Sequence, residues 1–180
     1  MGLDMYLYRK TYLPTYGQHK LNVEVKGDTD KIKPAIKPDK IEYIDEEIAY
    51  WRKANAIHNF IVQNAADGVD ECQVIEVSTD LLQDLVNRCK RILNESKIGK
   101  REESVYSIVT KTEEVRTFEY LEDTTLAQEL LPTQAGFFFG STEFDDWYIE
   151  QLRNTINQIE PYISEDADNG YSTFYYEASW

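Results

Sequence analysis

The sequence is poor in the residues from which metal and redox sites are built. It contains two histidines and two cysteines, with no H-x-x-x-H or C-x-x-C spacing among them. Two cysteines are also too few for a disulfide scaffold, so we expect both thiols to stay reduced, as they do in the cytosol. The sequence therefore predicts no metal site and no cofactor, and it has no G-x-S-x-G motif for a serine hydrolase.

Long apolar runs are missing as well. No segment approaches the ~20 apolar residues that a membrane-spanning helix needs, and the N-terminus shows no signal-peptide pattern. With 180 residues, of which 42% are hydrophobic and 29% charged, the composition is typical of a soluble domain that buries its own core. We expect a single domain spanning residues 1–180, located in the cytosol, with no membrane partner.

Basic residues are scarce relative to acidic ones, and the net charge is −14. The imbalance is strongest in residues 143–180, which hold one arginine and nine carboxylates. Because nucleic-acid phosphate is bound by concentrated basic patches, we expect no direct DNA binding. An acidic surface can instead approach a basic protein surface, although solubility alone also explains such a charge. The predicted partner surface consists of Glu143, Asp145, Asp146, Glu150, Glu165, Asp166 and Asp168.

Alternating apolar residues predict strands at both ends of the chain. The segment LDMYLYRKTYL places Leu3, Met5 and Leu7 on one face, and LNVEVKG from Leu21 has a similar pattern. ECQVIEV at 71–77 is strand-like too. Because helices and strands do not alternate regularly, we predict an α+β fold with a mainly antiparallel sheet and about three longer helices.

Capping residues mark the predicted helices. The long ones are expected at 46–66 after an Asp45 cap, at 79–93 after a Ser78 cap, and from about Glu143 to Pro161. Residues 94–103 resemble a charged loop, and SVYSIVT and VRTFEYL resemble a hairpin. We therefore interpret 94–125 as an inserted loop and hairpin, followed by a short helix at 125–131.

The stretch LLPTQAGFFFGSTEFDDWY raises the question of a phosphate site, because its glycines precede a helix. Thr142 and Asp145 have the spacing of a capping box, and the acids of the first turn would repel a phosphate. The stretch is neither a P-loop nor G-x-G-x-x-G. We predict instead that the glycines let a buried aromatic strand turn tightly into the helix.

His58 is the weak catalytic candidate of the chain. If residues 46–66 form one helix, His58 lies inside its apolar arc, and Arg52 points about 120° away. A histidine in such an arc is usually a hydrogen-bonded core residue, and a ligand or general-base role is the alternative.

The tyrosine-rich C-terminus has two interpretations. In YSTFYYEASW, Tyr171, Thr173 and Tyr175 share one strand face, while Phe174 and Tyr176 share the other. Such a strand is typical of a sheet core, but tyrosine and tryptophan are also enriched at protein interfaces.

Three segments together, MGLDMYLYRKTYL, AYWRKANAIHNF and LLPTQAGFFFGSTEFDDWY, resemble a family of small proteins encoded by bacteriophages and prophages, notably of Gram-positive bacteria. The resemblance carries no assigned chemistry. It makes the polar residues of these segments the candidate binding residues: Arg52, Lys53, Asn55, His58, Gln134, Ser141 and Thr142.

The resemblance implies an anti-defence protein that works in the host cytosol. Its expected partner is a host defence protein, for example a type II CRISPR nuclease or its guide-RNA complex, whose basic channel an acidic and aromatic surface could occupy. This would be an inhibitor, not an enzyme. The alternative is a nucleotide-binding protein, or a hydrolase or nuclease, that uses the His58 helix and the Gln134–Thr142 loop. A structural or regulatory phage protein is a third possibility.

Overall fold

In the computed structural model, a four-stranded antiparallel sheet carries helices on one side and a separate β-hairpin. The structure describes residues 2–14, 23–26, 36–108, 111–164 and 170–180. Its strands are β1 (Asp4–Tyr12), β2 (Tyr43–Arg52), β3 (Ile75–Val77), β4 (Ile98–Ser107), β5 (Thr112–Leu121) and β6 (Ser172–Ser179). Its helices are α1 (Asn55–Ala65), α2 (Thr79–Glu95), α3 (Thr125–Leu130) and α4 (Asp146–Ile163), with a 3-10 turn at Pro38–Lys40. The predicted α+β class is confirmed.

The sheet has the order β2-β1-β6-β3, and all its neighbours are antiparallel. In β1, the predicted alternation is confirmed, because Met5 and Leu7 are buried while the tyrosines between and after them face the other way. Met5 lies opposite Trp51 on one side and Ala178 on the other. One face of the sheet is therefore apolar along its whole width.

Helices α1 and α4 contact the sheet, and α2 packs against both of these helices. The predicted Ser78 cap is confirmed, since its side chain accepts a hydrogen bond from the N–H of Leu81 at 3.2 Å. In α4, Tyr148, Leu152 and Ile159 are buried, whereas Ile156 is only partly buried. Each fully buried aliphatic side chain of this kind contributes about 1.5–3 kcal/mol.

The prediction of one helix over 46–66 is wrong. Its first half is strand β2, and α1 begins only at Asn55. Lys53 separates the two elements with a φ of 56°, in the left-handed region where neither helix nor strand continues. The strand forms because β1 supplies its hydrogen bonds, while the indole N–H of Trp51 donates to Thr155 Oγ1 at 2.9 Å.

The hairpin is confirmed but is longer than expected. The predicted loop at 94–103 is wrong, because β4 starts at Ile98 and pairs with β5 down to Leu121. Leu121 is buried at the base, whereas Tyr106 and Val115 are exposed farther out. For the predicted strand from Leu21, residues 23–26 contain no strand, and its remaining residues lie outside the described part. β3 covers only the last three residues of the predicted 71–77 strand.

The aromatic stretch before α4 is a turn and not a buried strand. The N–H of Phe139 donates to the carbonyl of Gly136 at 3.2 Å, and Phe137 at the tip is 95% exposed. The predicted Thr142 cap is also wrong. Asp145 caps α4 by accepting from the N–H of Tyr148 at 3.2 Å, three residues later than expected.

Candidate functional site

His58 lies in the core with both ring nitrogens hydrogen-bonded. Its Nδ1 is 2.7 Å from the Tyr176 hydroxyl, and its Nε2 is 3.0 Å from Asp70 Oδ2. The rings of Phe139 and Trp180 pack edge-on against it, so the chain's last residue docks on the core. Burial raises the pKa of the Tyr176 phenol well above its usual value. With 0% exposure, His58 meets no solvent, and a general-base role would require the core to open.

Asn55 fastens the start of α1 to the loop at 134–141. Its Nδ2 donates to the carbonyls of Phe139 at 3.0 Å and Ser141 at 2.8 Å. Its Oδ1 accepts from the backbone N–H of Gln134 at 3.1 Å. Because this side chain is 3% exposed and makes three hydrogen bonds, its role is to hold the loop.

The same loop is tied to the beginning of β1 through Leu3. The N–H of Leu3 donates to the carbonyl of Phe138 at 3.1 Å, and its carbonyl accepts from the N–H of Lys53 at 2.7 Å. Gly140 has a φ of +88° and lies so close that an added Cβ would be 3.0 Å from Lys53 Cβ. The three segments singled out in the sequence therefore meet at one place in the fold.

The candidate binding residues divide into separate groups. Lys53, Asn55 and Ser141 line one crevice beside the start of α1. Arg52 points away from it, with Nη1 3.7 Å from Asp4 Oδ1, because it belongs to strand β2. The prediction that helical geometry separates Arg52 from His58 is wrong, because Arg52 lies in β2 and His58 lies in α1. Neither residue lines this crevice.

The other two candidates support the loop. The backbone carbonyl of Thr142 accepts a hydrogen bond from Thr133 Oγ1 at 3.0 Å, which closes the loop at its base. Gln134 is half-buried, and its backbone N–H bonds Asn55.

Some carboxylates of the predicted acidic partner surface are used in hydrogen bonds within the fold, and others are exposed. Asp145 caps α4, and Asp146 Oδ1 accepts from the backbone N–H of Glu119 at 2.8 Å, which ties the helix to β5. Glu143 and Glu150 are exposed, and neither forms an ion pair with the described residues. Glu165, Asp166 and Asp168 lie outside the described residues.

A surface that the sequence did not single out lies on the side of the sheet opposite the helices. We call it the tyrosine face. Tyr6 stacks on Tyr8 with ring centroids 6.2 Å apart and packs against Tyr50 at 5.1 Å. Tyr175 lies beside Tyr8 across the β1–β6 pairing. The members of the tyrosine face are Asp4, Tyr6, Tyr8, Lys10, Tyr43, Asp45, Glu47, Tyr50, Arg52, Glu76, Tyr175 and Glu177.

Carboxylates surround the tyrosines of this face. Glu47 lies opposite Tyr8 on β2, Glu177 lies opposite Tyr6 on β6, and both are exposed. Burial first, and then the charges of Glu47 and Glu177, raise the pKa of the Tyr8 phenol. Lys10 and Arg52 are the two cations of the face; Lys10 lies over the Tyr43 ring at 4.9 Å, and Arg52 faces Asp4. The centre of the face is therefore aromatic and negative.

Searches of protein-family models, of curated proteins and of solved structures found no match to this chain. Within the described ranges, no cluster of three or more His, Cys, Asp or Glu side chains could hold a metal ion. No helix in the same part of the chain is long and apolar enough to cross a bilayer. On its own residues, the chain is an α+β protein with two surface features of interest, the crevice and the tyrosine face.

Proposed function

We propose that this chain is an interaction protein that binds a basic segment of a partner protein on its tyrosine face. The observation that carries the proposal is the environment of Tyr8. Tyr6 stacks on this side chain, Tyr175 lies opposite it on β6, and the carboxylates Glu47 and Glu177 are exposed nearby. Helix α4 meets the sheet on its other face, where the indole N–H of the buried Trp51 donates to Thr155 Oγ1 at 2.9 Å.

The chemistry of the face favours arginine. A guanidinium group stacks on an aromatic ring and also pairs with a carboxylate in a planar, two-pronged geometry. At an exposed site each cation–π contact contributes about 0.5–1 kcal/mol, and each ion pair about 0.2–1 kcal/mol. One arginine would therefore bind weakly, and we expect the partner to present several.

The enzymatic alternative has less support. It required His58 and the Gln134–Thr142 loop to form one accessible site. His58 is fully buried with both nitrogens hydrogen-bonded, and Asn55 uses its amide to hold the loop. These contacts are what a folded core needs, and they leave no free general base at this place.

We further propose that the partner is a host defence protein and that binding inhibits it, as expected for a phage or prophage anti-defence factor. A type II CRISPR nuclease is our first candidate, because such enzymes hold guide and target in a positively charged channel. The net charge of −14 and the resemblance to phage proteins support this proposal. The mechanism would be occlusion of the basic channel.

A peptide assay tests the binding chemistry. Fluorescence anisotropy would compare an arginine-rich peptide with a lysine-rich peptide of equal charge and with a neutral glycine-serine peptide. We expect the arginine peptide to bind more tightly than the lysine peptide, and Tyr8→Ser to remove most of that preference. Equal binding of both basic peptides by the wild type would contradict stacking and leave only charge attraction.

A cleavage assay tests the anti-defence proposal. Purified type II nuclease with its guide would cut a target DNA in the presence of increasing amounts of this protein. We expect inhibition by the wild type and none by Glu47→Lys/Glu177→Lys. If the wild type neither binds nor inhibits nucleases from several Gram-positive hosts, this target class is wrong, while the peptide assay still decides on the tyrosine face.

A further inference from the structure

The β4–β5 hairpin has one strand edge that the rest of the fold uses and one that it does not. On β5, the N–H of Leu121 donates to the carbonyl of Phe144 at 3.2 Å, and the N–H of Glu119 donates to Asp146 Oδ1 at 2.8 Å. These contacts hold the base of the hairpin against the segment that leads into α4. On β4, no second strand pairs with the outer edge within the described part of the chain.

The hydrogen bonds of β5 show which backbone groups of β4 point outward. In an antiparallel pair, two opposite residues either exchange hydrogen bonds or both point away from each other. Glu119 points away from β4, so Lys100, which lies opposite it, points away from β5. This orientation alternates along the strand, and the outward residues of β4 are therefore Ile98, Lys100, Glu102, Ser104 and Tyr106. We call their row of outward N–H and C=O groups the β4 edge.

An unpaired row of this kind is a template for another strand. The backbone N–H groups of Lys100, Glu102 and Ser104 have no hydrogen-bond acceptor among the described residues. A two-stranded hairpin alone is only marginally stable in water, and further strands with an apolar face make a stable sheet. On the outer half of this hairpin, Tyr106 and Val115 share one face and are 61% and 71% exposed. A further strand would therefore stabilise the hairpin.

The side chains of β4 indicate which strand fits this edge. Four consecutive exposed residues carry two positive charges followed by two negative ones: Lys100, Arg101, Glu102 and Glu103. Charged residues usually protect a strand edge from pairing. Here the order of the charges is complementary to itself when the same strand runs in the opposite direction. The occupant that this order favours is β4 of a second copy of the chain.

The backbone orientation restricts the register of such a pairing, because outward residues must face outward residues. With Glu102 on the two-fold axis, Arg101 of each copy lies opposite Glu103 of the other, in the pair type whose Cα atoms are only about 4.5 Å apart. The two Glu102 side chains then face each other in the wider pair type, at about 5.5 Å, with Lys100 diagonal to them. A shift that places Arg101 or Glu103 on the axis would put two like charges in the close pair. The register centred on Glu102 is therefore favoured.

We propose that two copies of this chain associate through the β4 edge into one continuous antiparallel sheet with the strand order β5-β4-β4-β5. Arg101 of each copy pairs with Glu103 of the other, and Tyr106 packs on the partly buried Ile98 of the other copy. The ion pair between Arg101 Nε and Glu103 Oε1 of the same chain, at 2.9 Å, becomes part of a network of four charges. This interface is separate from the tyrosine face and does not depend on the function proposed above.

Sedimentation equilibrium over a wide range of protein concentrations measures the association. Each copy carries a net charge of −14, so the salt concentration is kept at about 150 mM, where charges more than about 8 Å apart are largely screened. We expect a monomer–dimer equilibrium for the wild type. Arg101→Glu and Glu103→Arg should each weaken the dimer at least about tenfold, because each change puts like charges opposite each other twice.

A mixture of the two variants separates a direct contact from a structural effect. Arg101→Glu in one copy and Glu103→Arg in the other place opposite charges at both contacts, so an equimolar mixture should dimerise about as tightly as the wild type. The controls are Arg116→Glu and Glu114→Arg, which make the same charge changes on β5 and should leave the dimer unchanged. Thermal unfolding checks that all four variants are folded.

Hydrogen exchange followed by NMR tests the register. We expect the amide protons of Lys100, Glu102 and Ser104 to exchange more slowly as the protein concentration rises, because they donate across the β4 edge in the dimer. Glu102→Pro removes the central outward N–H without removing a hydrogen bond of the hairpin. It should weaken the dimer at least about tenfold.

Three results would overturn the proposal. The first is a wild-type protein that stays monomeric at every concentration. The second is a dimer that the β5 controls weaken as much as the β4 variants do, which would indicate the other edge or a general charge effect. The third is a mixture of Arg101→Glu and Glu103→Arg that associates no more tightly than either variant alone.

Discussion

Replacing Asn55 with alanine should destabilise the protein by roughly 3 kcal/mol. The side chain makes three hydrogen bonds to the loop at 134–141, with distances of 2.8, 3.0 and 3.1 Å. At about 1 kcal/mol for each net hydrogen bond, these contacts together contribute roughly 3 kcal/mol. That is a large part of the ~5–15 kcal/mol by which a domain is usually stable.

Thermal and urea unfolding would measure this loss. For a chain of 180 residues, 3 kcal/mol corresponds to a decrease of roughly 6–12 °C in Tm. The matched control is Asn59→Ala on the same helix, whose side chain makes one exposed hydrogen bond of 3.3 Å to the Pro132 carbonyl. We expect the control to stay within ~0.5 kcal/mol of wild type. If the two variants lose the same free energy of unfolding, Asn55 does not hold the loop.

Three further outcomes follow from the buried polar groups. His58→Ala should cost stability, by about 2–5 kcal/mol as for other large buried side chains, and should leave peptide binding by the folded protein unchanged; selective loss of binding would contradict the core role. Burial raises the pKa of the Tyr148 and Tyr176 phenols, so their contribution to stability is complete below pH ~10 and is lost as the pH rises further, because the unfolded chain ionises first. Urea unfolding at pH 9 and 11 would show this decrease, and equal stability at both values would refute it. A thiol reagent should label only Cys72 in the native protein and also Cys89 after unfolding, since Cys89 is buried and its thiol pKa is raised by burial; rapid native labelling of Cys89 would contradict this.

The failure at β2 shows why part of the fold was not visible in the sequence. The alternation of this strand is interrupted where the β1–β2 register shifts, so that Ile48 and Ala49 are both buried in succession. Two adjacent apolar residues next to Asp45 and Glu46 imitate an amphipathic helix start. β1 and α2 had no such interruption, and both were predicted correctly.

The candidate sites were predictable only in pieces. The alternation in β1 placed Tyr6 and Tyr8 on the face opposite the apolar one, and that in β6 placed Tyr175 likewise. These tyrosines come together because β1 lies between β2 and β6 in the sheet. Such long-range strand pairing leaves no local pattern in the sequence. The cap of α4 is a similar case, because Thr142 and Asp145 are both good capping residues and only the path of the loop selects Asp145.

The most direct test of the account is the binding of an arginine-rich peptide to two charge-reversed variants. Glu47→Lys/Glu177→Lys changes the tyrosine face, and Glu143→Lys/Glu150→Lys changes exposed acids at and near the start of α4. Both variants shift the net charge by the same amount, so a general charge effect is equal in the two. We expect the first variant to bind at least about tenfold more weakly than wild type, a difference of about 1.4 kcal/mol, and the second to bind almost as wild type does. Equal weakening in both variants, or a larger loss in the second, would contradict the tyrosine face as the binding surface.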